Sequence, residues 1–314
     1  MCDKNSDYTS VLQKLKDWMM PLAMLTGGVF YNVFGSLAFL TPYLIFFMLL
    51  FTFSKLSPRG IRFSRLHFIL LFIQLATGAV AYEALKSTSS ELAQGALICF
   101  LAPTATAAAV ITGMLGGNVG FLTSFTLLSN LGVALLAPVF FSIVGYNHDL
   151  SFWDSFIRIF AKIFPLLILP LLAAWVIRYT APRVQEVMLR YSKIPFYLWS
   201  VSLVIVTART VKALVELPQH DLKMEFSLAF ISLFICGIQF FVGKMLGSRF
   251  DNRIASGQAL GQKNTILAIW MTQVFLNPVA ALAPSTYILW QNILNSYQVW
   301  KAHRREREAL KKAV

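Results

Sequence analysis

Hydrophobic residues in this chain gather into ten long runs separated by short polar stretches, at residues 18–34, 37–53, 67–84, 94–115, 119–144, 156–179, 194–215, 225–245, 254–275 and 279–299. Each run is close to the roughly 20 residues that a helix needs to cross the hydrocarbon core of a bilayer. The pattern predicts an all-α polytopic membrane protein with ten spans. A segment 1–17 precedes the transmembrane domain 18–300, and a basic tail 301–314 follows it. The first 17 residues mix Lys4, Lys14 and Lys16 with Asp3, Asp7 and Asp17. They lack the basic flank, short apolar run and cleavage site of a signal peptide, so none is expected to be removed.

Composition sharpens this picture. Of 314 residues 57% are hydrophobic and 13% charged, against roughly 25% charged in soluble domains, and ten spans leave no room for a separate soluble domain. The 27 Lys and Arg against 14 Asp and Glu would suggest nucleic acid in a soluble protein. Here the cations sort by loop instead. With the N-terminus inside, cytoplasmic segments collect 20 of the 27, and Lys86, Arg158, Lys162, Arg209, Lys212 and Lys223 fall on the other side. This asymmetry predicts both termini in the cytoplasm and a multi-pass protein of the plasma (inner) membrane. The tail from Lys301 to Lys312 fits attraction to lipid headgroups better than to nucleic acid. Cys2, Cys99 and Cys236 make no disulfide framework. His67, His148, His220 and His303 lie at loops or span ends without metal-ligand spacing, and no catalytic triad or phosphate-binding glycine loop is present. No cofactor, resident metal or enzymatic activity is expected.

Five spans followed by five enter the membrane from opposite sides, the arrangement of an inverted repeat, in which transporter sites lie where corresponding helices are broken. The fourth span of each half qualifies. Span 4 contains Leu101-Ala102-Pro103-Thr104-Ala105-Thr106-Ala107-Ala108-Ala109, and Pro103 removes a backbone donor. Span 9 contains Ser256-Gly257-Gln258-Ala259-Leu260-Gly261-Gln262-Lys263-Asn264-Thr265, with two glycines and a polar cluster at membrane depth. Such a break frees carbonyls and amides, which only protein or a watery cavity can satisfy there. The alternative is that Pro103 is a kink and the alanine run a close helix contact.

Gly261-Gln262-Lys263-Asn264-Thr265-Ile266-Leu267-Ala268 resembles the Glu-x-Gly-x-Gln-Asn-x-x-Leu-Ala signature of the bile acid:sodium symporter family, in its ten-span bacterial form. Tyr287-Ile288-Leu289-Trp290-Gln291-Asn292 resembles that family's Tyr-x-x-Trp-His-Asn ending. Pro103-Thr104-Ala105-Thr106-Ala107-Ala108-Ala109-Val110 is similar to its Pro-Gly-Gly-Thr-Ala-Ser-Asn-Val motif, and Gly117-Asn118 to the pair that opens span 5. The resemblance implies two inverted five-helix repeats, a core of spans 3–5 and 8–10 with broken spans 4 and 9 crossing in it, and a panel of spans 1, 2, 6 and 7. It also implies sodium ions at the crossing. Of their side-chain ligands Gln74 and Thr126 remain, but the span-9 glutamate is Ala259, the Ser-Asn pair is Ala108-Ala109, the span-5 serine is Leu122 and the signature glutamine is Lys263. No Asp or Glu lies inside spans 4, 5, 9 or 10 to compensate. A hard cation wants a shell of oxygens, so sodium coupling of the family kind is not expected.

Lys263 is an ionisable residue at membrane depth and a functional candidate on that ground. Its ammonium can stand in for a bound sodium among carbonyls freed by the breaks, or exchange a proton and couple transport to proton movement. Alternatively it snorkels to the surface, although about ten residues, roughly 15 Å of helix, separate it from Arg253. Gln262, Asn264, Thr265, Thr104 and Thr106 adjoin the breaks and offer hydrogen bonds either to substrate or to helix ends. Asn292 fits a helix-packing bond. Arg209 and Lys212 fit either attraction of an anion or an outer interface. The expectation is a secondary transporter of an organic anion, working by alternating access. A proton-linked or facilitative carrier of a small carboxylate is the nearest alternative, and a non-transporting membrane receptor on the same fold the other. Expected partners are the anion and the lipid bilayer. Oligomeric state is not legible.

Overall fold

The computed structural model describes residues 19–145, 151–191, 193–216 and 221–313. The segment 1–17, His148 and His220 lie outside the described residues. Helices account for the regular structure: α1 (Met19–Val29), α2 (Tyr31–Gly35), α3 (Thr41–Phe53), α4 (Arg65–Leu85), α5 (Ser90–Leu101), α6 (Ala108–Met114), α7 (Val119–Val144), α8 (Phe152–Thr180), α9 (Pro182–Arg190), α10 (Ile194–Val215), α11 (Leu222–Ser248), α12 (Arg253–Gly261), α13 (Thr265–Phe275) and α14 (Leu282–Ala313). Among the described residues six stretches are long and apolar enough to cross a membrane: Tyr31–Phe53, which joins α2 to α3, and then α4, α7, α8, α10 and α11. The chain is therefore a multi-pass helical membrane protein.

The remaining apolar runs are helical too, but shorter or more polar, and the sequence says why. The fourth and ninth runs are each cut into two helices, α5 with α6 and α12 with α13. α14 carries Gln291, Asn292 and Asn295 within its first half. Helix starts follow short polar side chains that accept from orphan amides. Ser89 Oγ accepts from Leu92 N, Asn118 Oδ1 from Phe121 N, Ser151 Oγ from Asp154 N and Asp221 Oδ1 from Met224 N. His67, expected at a span end, lies in the first turn of α4, where it forms a capping box with Ser64.

Packing places small residues where backbones meet. α11 and α12 form a tight hairpin in which a side chain at Gly243 would run into the Ser256 carbonyl, and one at Gly261 into the Phe240 ring. The apolar bulk faces outward: Phe226, Phe230 and Phe241 on α11 are exposed, as suits contact with lipid. Two small apolar clusters flank the broken helices. One joins α4, α6, α7 and α12, and the other joins α5, α11 and α14.

Candidate functional site

α5 stops at Leu101 because Pro103 has no amide to give the Cys99 carbonyl, and the chain runs non-helical to Ala105 before a turn leads into α6 at Ala108. A helix end leaves its last carbonyls without partners, and at membrane depth no water replaces them. Each is met by a donor from another helix or from the second break. Gln239 Nε2 on α11 donates to Cys99 O at 3.1 Å. Lys263 Nζ donates to Phe100 O at 2.9 Å. Gln74 Nε2 on α4 donates to Leu101 O and to Ala102 O, both at 3.0 Å. The Asn264 amide donates to Pro103 O at 2.7 Å.

The second break is sealed in the same way. Gly261 O accepts from the Tyr287 hydroxyl at 2.9 Å, Gln262 O from the Ala105 amide at 2.9 Å, and Ala259 O from Thr104 Oγ1 at 2.7 Å. The freed amides are satisfied too: Thr104 N donates to Ser129 Oγ at 3.3 Å and Lys263 N to Gln291 Oε1 at 2.9 Å. The two broken segments thus run antiparallel and bridge directly, Thr104 to Lys263. Asn264 caps α13 by accepting from Leu267 N, and the Thr265 amide turns back to Lys263 O.

Lys263 is 1% exposed, so its side chain does not reach a surface. It points across the break to the end of α5, within electrostatic range of the buried thiols Cys99 and Cys236. Its Nζ thus lies on a carbonyl at the end of the broken α5 rather than at the surface of the molecule.

The positions that the resemblance gives to sodium ligands come together, but as an apolar cluster. Ala108, Leu122 and Ala259 are fully buried in it beside Leu66, Leu70, Phe121 and Phe125, with Ala109 packed against them. Gln74 has both its amide hydrogens on carbonyls, and its Oε1 accepts from Ser129 Oγ at 3.1 Å. Thr126 gives its hydroxyl to Leu122 O of its own helix. A sodium ion needs several converging oxygens. Here the side-chain oxygens are replaced by methyl groups and the nearby carbonyls already accept from protein donors, so these residues do not fit the ion.

Thr106 stands apart, half-buried beside α6 and outside the network that holds Thr104. Asn292 donates to Ile288 O of its own helix and touches Met20, a packing role. Arg209 donates to Gln273 O on α13, and Lys212 pairs with Glu216. Sequence reasoning missed Ser129, Gln239 and Tyr287 as parts of the crossing. The signal was an amide in the apolar run of α11, and in α14 the spacing by four of Tyr287, Gln291 and Asn295. All three of the latter reach α12 or its break, Asn295 Oδ1 by accepting from Gln258 Nε2 at 2.9 Å. Gln239 Oε1, Gln258 Oε1, Gln262 Oε1 and Asn295 Nδ2 are buried polar atoms with no protein partner.

Compared with known proteins, residues 37–217 match the family model described as the sodium bile acid symporter family. The match covers more than half of the chain and includes the first break, whereas the second break and α14 lie beyond it. No curated protein matches the chain.

Proposed function

Because the chain belongs to the sodium bile acid symporter family, a family of membrane transporters rather than enzymes, we propose that it carries an organic anion across the plasma membrane by alternating access, without the family's sodium sites. In this reading ten spans form two inverted repeats of five with both termini in the cytoplasm. The core comprises α4 to α7 and α11 to α14, and the panel α1 to α3, α8 and α10. Segments 1–17 and 301–314 are cytoplasmic extensions of the transmembrane domain 18–300.

The observation that carries the proposal is the Lys263 ammonium on Phe100 O, in a crossing whose sodium positions have closed into an apolar cluster. A tethered ammonium supplies one positive charge to carbonyls that would otherwise face an ion. It keeps the crossing assembled when no ion is bound and leaves the positive ends of the broken helices available to an anionic group. Gln262, Asn264, Thr265, Thr104 and Thr106 frame that region. Thr106 is the one most open to substrate, because the Thr104 hydroxyl is committed to Ala259 O. An amphipathic carboxylate suits a cavity between an apolar panel and this polar crossing.

The experiment is uptake of radiolabelled anions, a bile acid and a small hydroxycarboxylate among them, into proteoliposomes under a sodium gradient, a proton gradient or neither. Saturable uptake that sodium does not stimulate is the expected result. Acceleration by a proton gradient would select the proton-linked alternative, and a strict sodium requirement would overturn the proposal.

A further inference from the structure

Three cations from three helices converge at the end of the molecule opposite the α11 N-terminus. The Gln258 to Asn295 hydrogen bond fixes α12 against α14, and the two helices run in opposite senses, since the Lys263 amide meets Gln291 four residues earlier on α14. Five residues back along α12 stands Arg253, and six forward along α14 stands Lys301. At helical rise these steps are about 8 and 9 Å, so the two cations stand at nearly the same height. Lys244 joins them from α11: its stem lies across Gly257, one turn into α12 from Arg253, and its charge feels both Arg253 and Lys301.

Among the described residues no carboxylate oxygen lies within 4.0 Å of Lys244, Arg253 or Lys301; the ion pairs join Lys86 to Glu83, Lys212 to Glu216 and Arg304 to Glu308. Asp251 lies near Arg253, lining with it an open polar depression at the start of α12. Among the described residues, therefore, the three charges repel one another with no carboxylate paired to any of them. Beside them Tyr297 stacks on Trp300, with Lys301 5.9 Å from the Tyr297 ring centre and Arg304 5.7 Å from that of Trp300. Aromatic rings backed by cations mark the membrane–water boundary. Toward the membrane side the same helices expose Phe241 and Ile293.

We infer that Lys244, Arg253 and Lys301 form a binding site for the phosphate of an anionic phospholipid, whose acyl chains lie along the exposed apolar side chains of α11 and α14. A phosphodiester neutralises the trio and sits at the depth of the aromatic pair. The adjoining apolar surface is what favours a lipid over a soluble phosphate. The site is independent of the substrate and of the crossing, and it ties α11, α12 and α14 together at one membrane face.

The test uses the full chain purified in a neutral detergent, with native mass spectrometry and thermal unfolding as readouts. Phosphatidylglycerol, phosphatidylcholine and inorganic phosphate are added in separate arms. Phosphatidylglycerol should be retained and should raise the unfolding temperature, while phosphatidylcholine and inorganic phosphate should do neither. Neutralising Lys301, which is exposed and carries little packing, should weaken retention about fivefold, and K301R should restore it. Lys86, paired with Glu83 on α4, is the control, and K86Q should change nothing. Equal retention of phosphatidylcholine, equal retention by K301Q, or stabilisation by inorganic phosphate matching that by the lipid would each overturn the inference.

Discussion

At the scale of single residues, the crossing is governed by the cost of a buried carbonyl without a donor, about 1–3 kcal/mol. Lys263→Met removes the partner of Phe100 O and should lower stability by about 1–2 kcal/mol, a loss visible as earlier thermal unfolding in detergent. Lys263→Gln restores a donor and should recover most of it. It should not restore sodium dependence, because Ala108, Leu122 and Ala259 still fill the ion positions with methyl groups; uptake with and without sodium checks this. Gln74→Leu strips donors from both Leu101 O and Ala102 O and an acceptor from Ser129. It should be the more damaging single change at the crossing. The two threonines of the first break should separate: Thr104→Val cuts a 2.7 Å link to Ala259 O and should lower stability and transport together. Thr106→Val should leave unfolding unchanged and shift the KM for the anion.

At the scale of elements, the positions of the helices were legible because a bilayer imposes a nearly fixed run length. The breaks were legible as well. Pro103 announces a missing donor, and Gly261 to Thr265 puts polar groups where an uninterrupted span would be apolar. What the sequence did not show is which partners close the breaks, because Ser129, Gln239 and Tyr287 are brought there by packing between helices far apart in the chain. Gln239 meets Cys99 O and the Tyr287 hydroxyl across 140 and 48 residues of sequence. Nor did the missing sodium ligands by themselves reveal that their positions would condense into one apolar cluster rather than leave a cavity. The α11–α12 hairpin depends on close backbone approach. Gly243→Val would press on the Ser256 carbonyl and should cost about 1–3 kcal/mol, seen as reduced yield of folded protein.

At the scale of the whole molecule, the two breaks are bonded to each other as well as to their surroundings. The Ala105 and Asn264 amides donate across the bridge to Gln262 O and Pro103 O. The helices around the crossing should therefore move as one body, and relative motion should fall against α8 and α10, with the links of Gln273 on α13 to Arg209, Val206 O and Thr210 Oγ1 on α10 breaking as it occurs. Cross-linking cysteines placed at Gln258 and Asn295, which hydrogen-bond between α12 and α14, should leave transport intact, whereas a cross-link between α10 and α13 at Arg209 and Gln273 should stop it.

The proposed fixed cation at Lys263 has an electrical consequence. A sodium-coupled carrier brings cations with each anion, but Lys263 returns to its starting place after every cycle and adds nothing to the charge moved. Each monovalent anion would then cross with a net charge of minus one. A membrane potential of 100 mV, negative inside, favours its exit by about 2.3 kcal/mol, close to fiftyfold in concentration ratio. In an energised cell such a carrier runs outward unless the substrate is abundant outside. Imposing a potassium diffusion potential on proteoliposomes should reverse the direction of flux when its sign is reversed, with no other ion gradient present.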